Sequence, residues 1–227
     1  MLQSKLAGQF YVVVKTGRAV LSRSSPVGNR LHMGKILPRE FYNRDTELVA
    51  REMLGAVLEC VTEEGRTSGI IVETEAYIGE HDAACHAAAG RTNRTEPLYG
   101  PPGNAYVYFI YGMHWCINAV TRARGLPSAV LIRALEPFEG IDLMRDRRPL
   151  ARTDRDLTNG PGKLCAALGI DKRMNGLPLQ RRPVVIRAGS SIPDGDVVIG
   201  PRIGITQAAE WPLRYFVRDN QFVSRTR

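Results

Sequence analysis

The stretch Gly69–His86, GIIVETEAYIGEHDAACH, constrains this chain more than any other. Ile70, Ile71 and Val72 are β-branched and open a strand, and the residues that follow alternate in polarity. Strand side chains repeat every two residues, so Ile71, Glu73, Glu75 and Tyr77 are expected on one face and Ile70, Val72, Thr74 and Ala76 on the other. A carboxylate buried without a partner is strongly disfavoured, so a face carrying two of them is solvated, ion-paired or a site. The stretch alone leaves all three open.

Bulk properties narrow the class. With 227 residues the chain can bury one sizeable core, and no run of eighteen apolar residues suits a membrane span. The net charge of +8 suggests nucleic acid, but its distribution weakens the inference. Seven Lys and Arg precede the first acid, Glu40, so residues 40–227 hold 24 bases against 23 acids, a net charge of +1. A nucleic-acid surface on that body is a local patch, not a global field. Residues 1–34 are expected to be a basic, disordered extension, with a transit peptide or a start near Met33 as alternatives, and the domain is set at 35–227.

Cys60, Cys85, Cys116 and Cys165 form no CxxC pair, which fits a reducing compartment: cytoplasmic and nucleoid-associated in a bacterium, with an organelle or nucleus left open by the basic extension. His81 and His86 lack a third ligand at a recognisable spacing, so neither a metal nor another cofactor is expected.

In chain order, Phe41–Leu54 reads as a helix capped by Asp45 or Thr46, with Gly55 past its end. Ala56–Thr62 is a strand turning at Glu63–Gly65 into the central one, and Gly79–Gly103 is an ordered loop carrying Arg91 and Arg94. Ala105–Ile110, Trp115–Thr121 and Ser128–Leu135 form an antiparallel meander, with Tyr106, Tyr108 and Ile110 facing one way and Val107 and Phe109 the other. Tyr111 then sits at a hairpin tip, either free as a probe or folded back on its own hairpin. Arg133, in SAVLIRALEP, needs an acidic partner or an anion, and Glu75 is the candidate. Phe138–Arg148 reads as a helix, and Asn159–Lys163 opens a shorter one through Leu168 whose first amides suit a phosphate; Leu157 stands where a P-loop needs glycine. Short strands complete a single α+β domain with a mixed, largely antiparallel curved sheet, flanking helices and a protruding β-hairpin.

IVETEAY, a following His, YVYFIYGMHWCIN, LIRALEP, GPGKLC and the closing RIGI, PLRYFV and VS resemble, in that order, the alkyladenine (3-methyladenine) DNA glycosylase family. The likeness runs from about Phe41 to Ser224. It implies a monofunctional enzyme that flips alkylated or deaminated purines out of duplex DNA and leaves an abasic site without a cofactor; the local character of the charged patches suggests a monomer. It further implies that Glu75 is the general base, and that Arg133 and the Ile203 main-chain carbonyl hold the water. Tyr77 and Tyr108 would sandwich the base with His86 beside it, Asn118 would crowd the guanine amino group, and Tyr111 would wedge into the duplex. Arg91 and Lys172 fall where the family meets backbone phosphates, and Glu73 is read as structural.

The residues suit that chemistry. Tyrosine faces attract a cationic alkylated purine, and such a base leaves readily, so one carboxylate activating water suffices. Arg133 is expected to keep Glu75 ionised. The loop RTEPLYGPPG departs from the usual RNxxMFGxPG at Thr95, Leu98 and Tyr99. The preferred lesion stays open among 3-methyladenine, 7-methylguanine, hypoxanthine and ethenoadenine. Two other readings compete: a non-catalytic nucleic-acid binding module, and a hydrolase using Glu75 and His86 on free nucleosides.

Overall fold

The computed structural model describes residues 34–224. The expected extension 1–34 therefore lies, except for Gly34, outside the described residues. Gly34 and Leu37 donate to Ala188 and Ile186, so the described chain begins by pairing along a sheet edge.

Two short helices come first, α1 (Arg39–Tyr42) and α2 (Thr46–Glu52). The single helix expected over Phe41–Leu54 is broken because Asp45 caps the second piece, its carboxylate accepting from the N–H groups of Glu47 and Leu48. Strands β1 (Val57–Thr62) and β2 (Gly65–Tyr77) form a tight hairpin, and two 3₁₀ turns, His86–Ala89 and Glu96–Tyr99, order the long loop after β2. Strands β3 (Ala105–Ile110), β4 (His114–Thr121) and β5 (Ser128–Glu139) make the meander.

The helix expected from Phe138 begins at Ile141 instead, because Pro137–Glu139 continue β5. Gly140, with φ +73°, turns strand into helix, and a Cβ there would stand 2.2 Å from the Arg66 carbonyl oxygen. Helices α3 (Ile141–Arg147), α4 (Asp154–Thr158) and α5 (Pro161–Leu168) follow, then β6 (Val184–Arg187), β7 (Val197–Gly200) and β8 (Arg214–Val217).

The main sheet order is β3-β4-β5-β2-β1-β6, and every strand pair is antiparallel, so the expected mixed sheet has no parallel member among the described residues. Strand β2 is the spine. One edge pairs with β5 along Ser68–Tyr77, while the other takes β1 over Gly65–Ile70 and β8 over Glu73–Glu75.

The β2–β5 register shifts where the carboxylates lie. Ile71 pairs with Leu135 and Glu73 with Ala134, leaving Val72 extra; Thr74 then pairs with Ile132, leaving Arg133 extra on the other strand. These bulges correct the face assignment read from strict alternation. Ile71 joins Ala76 in the main core with Val49 and Ala50, whereas Val72 packs with Ala134 and Phe222 in a smaller cluster. A third shift leaves Phe138 unpaired and accommodates Pro137.

Elsewhere alternation holds. Val107, Ile117, Ala119, Val130 and Ile132 face the core shared with α2 and α5, and Tyr106, Val120 and Ala129 face the loop that carries Cys85 and Leu98.

Candidate active site

The loop-facing side of β3, β4 and β5 ends in a pocket of about 570 Å³, lined by Tyr77, His86, Tyr106, Tyr108, Asn118 and Arg133 among others. Alternation supplies the residues: 106 and 108 on β3, 118 on β4, 131 and 133 on β5 all project to that side. Tyr111 from the hairpin tip, the first residues of α5 (Pro161–Lys163) and the loop Ile203–Ile205 complete the wall. Seven of the ten residues singled out in the sequence thus meet at this pocket, with Glu75 joined to it through hydrogen bonds.

Glu75 is fully buried. Its Oε1 accepts the Ile203 N–H at 2.7 Å and lies 3.2 Å from Arg133 Nη1, and its Oε2 accepts the Tyr77 hydroxyl at 2.9 Å. Arg133 Nη1 also donates to the Ile203 carbonyl at 3.3 Å. A carboxylate, a guanidinium and a main-chain carbonyl therefore converge at one point. Of the three readings open for the carboxylate face, solvation is excluded: Glu73 is fully buried too, with Arg133 Nε 3.2 Å away.

Burial raises the Glu75 pKa, and the Arg133 charge and the Ile203 and Tyr77 hydrogen bonds oppose the rise without cancelling it. The Arg133 charge thus works in the expected direction, against desolvation, the larger cause. A glutamate with a raised pKa is the better proton acceptor.

The aromatic wall is ordered by polar contacts. His86 Nδ1 lies 2.8 Å from the Tyr106 hydroxyl, and its ring meets Tyr108 edge-on at 4.5 Å. Burial, reinforced by the Arg94 charge, lowers the His86 pKa below 6.5, so the ring is neutral at pH 7. Asn118 is buried and donates through Nδ2 to the Tyr106 carbonyl. The Arg202 guanidinium lies 4.7 Å over the Tyr77 ring and is paired with buried Asp82 at 2.5 and 2.8 Å.

Tyr111 stands apart, 75% exposed, with φ 53°. That left-handed backbone is unusual for a bulky residue. The alternative that it folds back is not what the structure has. Arg91 and Lys172 are exposed and lie outside the pocket lining, and Arg91 forms a two-point ion pair with Glu96 at 2.6 and 2.7 Å.

Sequence reading passed over Tyr106, Asp82 and Arg202. Tyr106 carried a signal, since it shares its strand face with Tyr108. Asp82 and Arg202 had none, being 120 residues apart. Among the described residues no three His, Cys, Asp or Glu side chains group as metal ligands, and no helix is long and apolar enough to cross a membrane.

The sequence profile of the methylpurine-DNA glycosylase family matches residues 40–221. A protein of Myxococcus xanthus described as "Putative 3-methyladenine DNA glycosylase" is 52% identical over 194 residues, covering 83% of this chain and 93% of that protein. Proteins with the same description from Carboxydothermus hydrogenoformans and Rhodopseudomonas palustris are 44% and 47% identical, covering 84% and 87% of this chain and 99% and 92% of their own lengths.

Proposed function

The chain belongs to the methylpurine-DNA glycosylase family, and on that premise we propose that it hydrolyses the N-glycosidic bond of damaged purines flipped from duplex DNA, with Glu75 as general base. The observation that carries this is the meeting of the Glu75 carboxylate, Arg133 Nη1 and the Ile203 carbonyl beneath a pocket walled by Tyr77, His86 and Tyr108.

A base inside a duplex is out of reach, so it must be extruded, at a cost of roughly a few kcal/mol. Tyr111, exposed at the tip, is placed to fill the gap, and tyrosine faces in the pocket offset the lost stacking by ~1–3 kcal/mol per base. In the hydrolytic step the water oxygen bonds to the anomeric carbon while the bond to the purine nitrogen breaks. The electron pair leaves with the base, and the water proton goes to Glu75. Oε1 is held by Ile203 and Arg133 and Oε2 only by Tyr77, so Oε2 keeps a lone pair for that proton. The Arg133 charge balances the carboxylate and directs the water. Neutral His86 offers the base one N–H donor or one nitrogen acceptor, and Asn118 narrows the pocket floor.

The test is single-turnover base release from duplexes carrying hypoxanthine or ethenoadenine and from alkylated duplex DNA, with alkali revealing abasic sites. Glu75→Gln is expected to lower the rate by ~10²–10⁴-fold and to keep lesion-duplex binding. Because the Glu75 pKa is raised above 4.5, the wild-type rate is expected to fall at a pH above that value as the base becomes protonated. Release by Glu75→Gln at the wild-type rate would remove the assignment. Salt-dependent duplex binding with no release by the wild type would favour the binding module.

A further inference from the structure

We propose that Glu73 is a positioning residue of this site: saturated by four donors, it clamps Arg133 through Nε so that Nη1 is presented to Glu75 and the Ile203 carbonyl. The inference rests on the hydrolytic reading above.

Glu73 Oε1 accepts from Arg133 Nε at 3.2 Å and from Arg214 Nε at 2.6 Å. Its Oε2 accepts the Ser224 N–H at 2.8 Å and also the Ser224 hydroxyl. A carboxylate has about four acceptor positions, and all are taken by protein, so Glu73 has nothing to offer a substrate. Its effect must pass through a neighbour. Of these partners, Arg133 is the one whose side chain contacts the Glu75 carboxylate among the described residues, its Nε and Nη1 lying at the same 3.2 Å from the two carboxylates. With both atoms held, the guanidinium cannot rotate about its long axis, and the water-directing edge stays fixed.

The charges close as well. Two carboxylates, Glu73 and Glu75, face two guanidiniums, Arg133 and Arg214, and no side chain of the four is more than 9% exposed. Arg133 thus serves Glu75 without being neutralised by it alone, and Arg214 supplies the second charge from β8, opposite Glu75 in register. Alternation from Leu131 puts the Arg133 side chain on the carboxylate side, and the bulge leaves Arg133 without a register partner on β2. The last described residues close the assembly: Phe222 packs on Val72 and Ala134 and delivers Ser224 to Glu73.

A purely structural ion pair would affect folding alone; a positioning residue also changes the titration and rate of Glu75. The groups bearing on Glu75 are Arg133 from β5, Tyr77 and Glu73 from β2, Arg214 from β8, Arg202 from the loop before Ile203, and Tyr108 and Cys116 from β3 and β4. Removing the Glu73 charge leaves two guanidiniums beside one carboxylate, which favours ionised Glu75 and moves its acid limb to lower pH.

The experiment is single-turnover release against pH for wild type, Glu75→Gln, Glu73→Gln, Glu73→Asp and Ser224→Ala, with thermal unfolding and lesion-duplex binding measured beside it. Glu73→Gln is expected to slow release by ~10- to 100-fold with binding kept, and to shift the acid limb downward. Glu73→Asp is expected to restore the limb and part of the rate. Glu73→Gln with the wild-type rate and limb, or with lost stability and an unmoved limb, overturns the inference. If Glu73→Gln does not fold, Ser224→Ala decides: slowed release with binding kept supports the clamp, and the wild-type rate rejects it. A silent wild type would overturn the hydrolytic reading, and this inference with it; an active wild type indifferent to Glu73 would overturn this inference alone.

Discussion

At the scale of single residues, the site separates groups that burial controls from one that exposure controls. Glu75 and His86 both have their charged forms disfavoured by desolvation, which leaves a basic carboxylate and a neutral imidazole in one pocket. Tyr111 is the opposite case, a large apolar side chain left in solvent on a left-handed backbone. Tyr111→Ala is expected to change protein stability by less than about 0.5 kcal/mol, since it removes no buried contact. The same change is expected to weaken lesion-duplex binding by ~1–3 kcal/mol, the worth of one stacking contact. Thermal unfolding and a binding titration check it, and a large fall in unfolding temperature would mean that the ring packs on the protein after all. Glu75, Tyr77, Tyr108 and Arg133 could be picked out as residue types that do not belong in an apolar strand. Glu73 was equally visible, yet its task was not. One hint was available: two arginines, Arg133 and Arg214, lie in apolar strands, and one carboxylate cannot balance both.

At the scale of elements, the meander obeys sequence periodicity and the spine departs from it. Strands β3 and β4 alternate throughout, so the aromatic side of the pocket follows from the order of residues. Strands β2 and β5 carry opposed bulges at Val72 and Arg133, and no local propensity marks them, because a bulge is a property of a strand pair. The N-terminal turn of α5 is another such dependence. A Cβ on Gly162 would stand 2.9 Å from Cβ and Cγ of His114, which pairs with Ile110 next to the hairpin turn that bears Tyr111. Gly162→Ala is expected to cost about 1–3 kcal/mol through overpacking and to slow base release by displacing the hairpin. Denaturant unfolding and single-turnover release together test this; an unchanged rate in a destabilised protein would show that the hairpin is not held from that side.

At the scale of the whole molecule, the Glu75–Arg133–Ile203 cluster and its support are assembled from β2, β5, β8, the loop at Ile203 and the last described residues, separated by up to 151 positions in the chain. The final turn of chain is therefore part of the site's support. Phe222→Ala is expected to cost about 3 kcal/mol by emptying the cluster with Val72 and Ala134, and to slow release because Ser224 loses its hold on Glu73. A shifted denaturation midpoint with a wild-type rate would detach the C-terminal segment from catalysis. What the sequence by itself determined was the class of elements, the aromatic face of the meander and the family, and it singled out Glu75 and Arg133 as a pair. These follow from residue type and short periodicity, which operate within a few residues. Only the tertiary structure decided the bulged register of β2 against β5, the pairing of Asp82 with Arg202, the second carboxylate's four donors and the upward shift of Glu75. Each of those depends on which distant groups exclude water from a given atom, and burial is settled by the packing of the whole chain.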